Sequence, residues 1–380
     1  MEQEKEQFSQ CLAGVKISQV LPGTECHTIH TYFNISPESP DGRHVLYFAS
    51  STPEGHLGEV RIIERATGRE KTLARNITTE DAHRVACQQW SNGGKDVVYH
   101  DFRKGRWTVL SVDIGTLNET VLAEDRQLGF GSAKDKWIPL YGCHWNPGPH
   151  RNLEMVNVET QEIRTPLKIE QVCAEYPDWI RKEFGDGKVS IFFPILSPDG
   201  KKAMFKMACG GGGNDFRSPK ASHRNGKIIF DMESSRLIRQ YDTWGHPSWH
   251  PDSRRIFGVF PDPGTNENRN ILLDPQTGED IEVQPSSPSD HPSYSPDGRY
   301  FVTDANIFWR PYGKPGENAI FMASTSGNEY VMIDRFINTK GAKSWRRPDP
   351  HPVFSPDSRR IYYNVSADKW TRLYVAEIPK

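Results

Sequence analysis

One phrase is written three times in the last third of the chain: His246-Pro-Ser-Trp-His-Pro-Asp-Ser-Arg254, His291-Pro-Ser-Tyr-Ser-Pro-Asp-Gly-Arg299 and His351-Pro-Val-Phe-Ser-Pro-Asp-Ser-Arg359. Each copy runs into apolar residues, Arg255 to Val259, Tyr300 to Val302 and Arg360 to Tyr363. Proline presets φ, and Asp with Ser or Gly tolerates the tight positions that follow, so each copy predicts a β-hairpin joining two strands. A supersecondary unit repeated at this interval cannot bury its apolar face alone, and the repeat therefore predicts a radial or stacked array.

Weaker copies fill the rest of the chain. Ser36 to Arg43 leads into His44 to Phe48 and then Glu59 to Ile63. Gln88 to Lys95 leads into Val97 to His100 and Trp107 to Val112. A degenerate unit holds Trp137 to Tyr141 and Leu153 to Thr160, and a clearer one holds Phe192 to Lys201, Ala203 to Met207 and Lys227 to Glu233. That makes seven units. The last offers only three clear strands, Val353 to Ser355, Arg360 to Val365 and Arg372 to Ile378, while an N-terminal strand near residues 14–21 lacks a partner. The sequence thus predicts an all-β chain, a seven-bladed β-propeller closed by the N-terminal strand joining the last blade, since closure removes an open sheet edge. One domain over residues 1–380, with a polar lead at 1–13, is the expected organisation.

A formal charge of −2 gives no reason to expect nucleic acid or an anionic membrane as partner. No stretch approaches the roughly 18 apolar residues of a membrane span, and the charged first residues lack a signal core. The expected location is cytoplasmic, or periplasmic or secreted where a signal segment has been removed. The six cysteines have no Cys-x-x-Cys spacing and point neither to a disulfide framework nor to a zinc ribbon. Gly210 to Gly213 has no following Lys-Ser/Thr, so it is no phosphate cradle, and no Gly-x-Ser-x-Gly nucleophile elbow occurs. Oligomeric state is not written in the sequence.

His246, His291 and His351 hold the same place in three consecutive units, just ahead of the innermost strand, and are expected to converge at one end of the array. One such histidine reads as a structural cap. Three imidazoles brought together near neutral pH repel when charged, and are held neutral by a metal or used as bases.

The chain resembles the propeller polysaccharide lyases, oligogalacturonate lyase in particular, and more distantly the ulvan lyases and rhamnose–glucuronate lyases. The residues that carry the resemblance are His30-Thr31-Tyr32-Phe33, Gly245-His246, His291, Pro350-His351-Pro352 and Phe354 to Asp357. It implies β-elimination on a uronic acid residue of an acidic oligosaccharide or polysaccharide. A base removes the C5 proton, the C4 oxygen leaves, and a positive group or metal stabilises the intermediate. By this resemblance His246 is the base and an upstream arginine assists it, with Arg224 preferred over Arg217. The family's manganese motif, Gln-x-x-His-Pro-His, falls on Arg346 to His351, so that Asp349 and His351, with His291, form the implied site for a divalent metal (Mn, Ca or Zn). Arg346 stands where the motif has glutamine.

A second set is similar to the paired histidines of the ulvan and rhamnose–glucuronate lyases: His83 and His100, with His144 and Tyr141 completing it. The base is therefore His246 or one of the His83/His100 pair. Trp90, Trp145, Trp244 and Trp309 are candidates for stacking on sugar rings, Trp244 being the one assigned to substrate. Two other functions remain open, a propeller glycoside hydrolase of the rhamnosidase type and a non-catalytic TolB-like binding propeller.

Overall fold

The computed structural model describes every residue except 1–9, 81, 144–145, 212–221, 262–263, 265–267, 284–288, 309, 311, 326–329, 339–348 and 380. Seven four-stranded antiparallel sheets follow one another along the chain, the blades of a seven-bladed β-propeller. In the first six the strands pair in sequence order. The seventh is built from Val353–Phe354, Arg360–Val365 and Arg372–Glu377, and takes its outermost strand, Lys16–Gln19, from the N-terminal end. Its register, Lys16 opposite Glu377 and Gln19 opposite Tyr374, satisfies the edge that the last strand would otherwise expose.

The repeated phrase is turn chemistry throughout. Ser197, Ser295 and Ser355 donate their hydroxyls to Asp199, Asp297 and Asp357, and each aspartate accepts the amide two residues on. The fifth blade has His250 in the serine's place, and its Nδ1 accepts the Asp252 amide. The position after each aspartate is left-handed, with φ of 71° at Gly200, 72° at Gly298, 57° at Ser253 and 61° at Ser358. These aspartates are thereby occupied in holding hairpins.

The packing falls into two compact units. One comprises residues 1–88, 245–274 and 279–380, and so holds the first, fifth, sixth and seventh blades. Within it Phe257, Tyr294 and Phe301 interlock the fifth and sixth blades, while Val45, Tyr47, Val353 and Tyr362 pack the first against the seventh. The first-to-seventh join also carries a buried polar knot, in which Glu38 accepts from Arg360 Nε and Nη2 at 2.8 Å and from the Tyr362 hydroxyl at 2.6 Å.

The other unit, residues 89–244 with 275–278, holds the second, third and fourth blades. The β-repeat pattern does not anticipate two helices here, α1 (Ile169–Glu175) and α2 (Pro177–Phe184). Pro177 opens α2 where no amide partner is needed, and Ile169, Val172, Ile180 and Phe184 turn one apolar side to the blade core. Trp179 packs so closely on Gly226 that a Cβ there would meet the indole at 2.4 Å. Glu183 of α2 binds His223 at 2.6 Å and Asn225 at 2.8 Å.

Lys227 of the fourth blade is fully buried, with Nζ donating to the Trp244 carbonyl at 3.0 Å and lying 4.9 Å from the centre of the Tyr241 ring. Burial, and then the neighbouring charge of Lys206, push its pKa down to about 7. The unfolded chain binds this proton up to about pH 10.4 and the folded chain releases it near 7, so stability rises with pH between the two values. Lys227→Met removes that dependence. Comparing urea unfolding at pH 6 and pH 9, the wild type is expected to gain on the order of 2 kcal/mol more than the variant over that interval.

Candidate functional site

Each His-Pro step stands two residues ahead of a two-residue innermost strand: His246 before Ser248–Trp249, His291 before Ser293–Tyr294, His351 before Val353–Phe354. All three belong to the first unit described above. His246 and His351 have φ of 41° and 49°. A non-glycine residue that precedes proline is normally extended, so these two hold strained backbone, of the kind that surrounding structure must enforce.

The imidazoles are in ring contact. His246 stacks on His291 at 4.5 Å and 22°, and His291 meets His351 edge-on at 4.6 Å. His83, in the turn after the first blade, packs on His351 at 4.8 Å. Tyr32 touches both His83 and His351, and Phe33 touches His291 and His351, so the Tyr32-Phe33 pair forms an aromatic wall on the cluster.

Two carboxylates organise the rings. His246 Nδ1 lies 2.8 Å from Asp290 Oδ1 and 3.1 Å from the Asp290 carbonyl. Asp304 accepts the His291 amide at 2.9 Å and sits 3.0 and 3.1 Å from His291 Nδ1, while its second oxygen accepts the His351 amide at 3.3 Å. Burial alone would lower the pKa of His291, but the Asp304 and Asp290 carboxylates lift it to about 9, which leaves it charged at neutral pH. His351 goes the other way. Burial, and then the charge of His291, hold its pKa well below the ordinary histidine value, and both ring nitrogens are buried without a hydrogen-bond partner. His30 is likewise buried, and its pKa is pushed down to about 4.

Among the described residues, two groups bring three ligand atoms within 4.8 Å of one another: His83, Asp349 and His351, and His246, Asp290 and His291. The ligand set read from the sequence is thus redrawn. Asp349 and His351 group with His83, whose Nδ1 is 3.5 Å from Asp349 Oδ2, and His291 groups with His246 and Asp290. Two imidazoles and a carboxylate suit a first-row divalent ion, and the two orphan nitrogens of buried His351 make the first group the better fit.

The remaining candidates lie in the second unit or outside the described residues. His100 is 2% exposed, its Nδ1 accepts the Leu128 amide, and its ring packs on Trp107. Tyr141 is fully buried edge-on to Phe192, and Trp90 is buried as well. Trp244 is buried against Phe193 with Lys206 over its ring. The roles expected of His100, Tyr141 and Trp244 require accessible atoms, and these residues instead pack blades. Arg224 is exposed on the strand Ser222–Asp231, its guanidinium 5.5 Å from the centre of the Phe192 ring. Arg217, His144, Trp145, Trp309 and Arg346 lie outside the described residues.

Asp290 and Asp304 are the residues that sequence reading misses. Asp290 stands directly before His291 and was open to notice; Asp304, thirteen residues beyond His291, lies in the strand Tyr300–Asn306 and has no motif around it.

No protein-family model and no curated protein matches the sequence. Among solved structures, the chain is similar to oligogalacturonate lyase from Vibrio parahaemolyticus, with a TM-score of 0.69 at 15% identity, covering 97% of this chain and 95% of that one. It is equally similar to an oligogalacturonate lyase in complex with manganese, TM-score 0.69 at 18% identity, covering 98% and 95%. The β-propeller domain of Cps50 (Swd1) from Myceliophteria thermophila follows at 0.53 and 10% identity, covering 93% and 99%. At these identities the likeness shows a shared seven-bladed propeller fold.

Proposed function

We propose that this chain is a lyase that cleaves a uronate-containing oligosaccharide, of the galacturonate type, by β-elimination. The observation that carries the reading is His246, an imidazole with a 42% exposed side chain stacked on the buried His291 and held by the Asp290 carboxylate. The likeness to two oligogalacturonate lyases over nearly the whole chain supports it at the level of the fold.

The C5 proton of a uronate is weakly acidic because the adjacent carboxylate takes up the charge, and that charge must be stabilised as it develops. His246 is the base in this reading. Its imidazole takes the C5 proton, the C5–H pair becomes the C4=C5 double bond, and the C4–O pair departs on oxygen, which takes a proton from water. The neighbouring His291 cation lowers the energy of the anionic intermediate. His83, Asp349 and His351 are the residues that would hold a divalent cation, which supplies positive charge against a substrate carboxylate when bound.

The test is a panel of pectic, ulvan-type and rhamnose–glucuronate oligosaccharides, followed by the ultraviolet absorbance of the conjugated unsaturated product, with and without chelator. A signal on pectic oligosaccharides is expected. New reducing ends without absorbance would make the chain a hydrolase, and silence in both assays would leave a binding propeller.

The metal part has its own prediction. In calorimetric titration with manganese, His83→Ala is expected to bind at least about 10–100-fold more weakly than the wild type, because loss of a ligand should weaken binding by no less than loss of an outer-shell partner. Equal affinity would remove His83 from the site.

A further inference from the structure

We propose that Asp290 is the positioning residue of the base, and that it decides which nitrogen of His246 meets the substrate. The proposal rests on the elimination reading for its catalytic consequence, but the geometry stands apart from it.

His246 Nδ1 faces two oxygens of the same residue, the Asp290 carboxylate at 2.8 Å and the Asp290 carbonyl at 3.1 Å. Neither a carbonyl oxygen nor an ionised carboxylate can donate, and with both oxygens against it Nδ1 carries the hydrogen, the carboxylate being the closer partner. The neutral ring therefore has its lone pair on Nε2, the nitrogen available to take a proton. A histidine held by a single hydroxyl or water would leave the tautomer undecided; here an obligate acceptor and a carboxylate decide it together.

Asp290 is itself anchored. Its amide donates to Thr303 Oγ1 at 3.1 Å, and that hydroxyl is 2.9 Å from Ser289 Oγ. The histidine is fixed from its other side. Gly245 and His246 both have positive φ, and a Cβ on Gly245 would lie 2.5 Å from the Phe260 ring, so the backbone entering His246 admits little other than glycine. The stack on His291 sets the ring plane. Backbone, stack and Asp290 thus fix three separate features of the imidazole: place, plane and tautomer.

The same carboxylate has a second duty. When His246 accepts the proton it becomes a cation stacked on another histidine, an arrangement that is unfavourable by itself. The Asp290 carboxylate lies against both rings, with Oδ2 3.8 Å from His291 Nδ1, and offsets the new charge as it forms.

The experiment is Asp290→Asn, read in two ways. Nitrogen NMR of the imidazole side chains, with the His246 signal assigned from its loss in His246→Asn, is expected to show Nδ1 protonated and Nε2 bare in the wild type. In Asp290→Asn the backbone carbonyl at 3.1 Å still favours a hydrogen on Nδ1, but the amide that replaces the closer carboxylate can donate to Nδ1, so a population of the Nε2-protonated tautomer is expected to appear beside the wild-type one. In the elimination assay kcat is expected to fall about 10–100-fold with KM within twofold, since the variant disturbs the reacting tautomer and leaves substrate contacts in place. An unchanged His246 spectrum, or a change in KM alone, would overturn the proposal. If the wild type eliminates none of the substrates, the elimination reading fails by itself, and the spectra still decide whether Asp290 sets the tautomer.

Discussion

His246→Asn is expected to lower kcat for elimination by about 10²–10⁴-fold, the span usual for loss of a general base, with KM changed much less. Asparagine is the substitution of choice because His246 has φ of 41°, a region that asparagine tolerates and alanine does not. Its short amide can still bond to Asp290, so the turn into the fifth blade's innermost strand should survive and the unfolding temperature should stay close to that of the wild type. What disappears is the most exposed imidazole among the described members of the cluster, its side chain 42% exposed against 17% for His83. His291 is buried and already protonated at neutral pH, and His351 is buried completely. Loss of activity with an intact unfolding transition, together with retained manganese binding, would assign the proton transfer to His246 and separate it from the His83, Asp349 and His351 group. Activity within tenfold of the wild type would move the base elsewhere.

The blades were legible because their signals are local. A Ser-Pro-Asp-Gly turn needs its serine, its aspartate and its left-handed residue within four positions, and the hydrogen bonds seen at Ser197, Ser295 and Ser355 stay inside that window. The histidines were legible for the same reason, since duplication leaves them in step with the turn. Helices α1 and α2 were hidden because their apolar spacing spans only two short turns between strong strand patterns. Of the site's two organising carboxylates, Asp304 was hidden because it acts across strands. Asp304 reaches the His351 amide 47 positions away, and nothing around Asp304 in the sequence marks it as different from other strand aspartates. His100 and Tyr141 were misleading in the opposite sense. Both residue types suit chemistry, but His100 alternates into the interior of its strand and spends Nδ1 on a neighbouring amide, and Tyr141 fills a blade core.

Glu38→Ala is expected to destabilise the chain by about 3–5 kcal/mol in urea unfolding, the loss characteristic of leaving one partner of a buried ion pair alone. The Glu38 side chain is fully buried, and its two oxygens take three short hydrogen bonds, two from the Arg360 guanidinium and one from Tyr362, with Arg65 at 3.7 Å. Removing the carboxylate strands a mostly buried guanidinium and a buried hydroxyl; among the described residues Asp357, half exposed, is the only other carboxylate bound to Arg360. Glu38→Gln keeps one acceptor and should fall between the wild type and the alanine variant. Replacing Glu38 and Arg360 together by methionine should recover much of the loss, because a pair replaced by apolar groups leaves no charge without its partner. A loss below about 1 kcal/mol in Glu38→Ala would mean that water reaches the knot and takes the carboxylate's place. The consequence extends to the site. Tyr32 lies between the first two strands of the first blade, His83 follows its last strand, and His351 precedes the innermost strand of the seventh, so the knot holds together the two blades that carry three members of the cluster. Glu38→Ala should therefore weaken manganese binding as well as folding, whereas the methionine pair should restore both. Recovery of stability without recovery of metal affinity would show that the charges themselves, and not only the blade contact, set the spacing of His83 and His351.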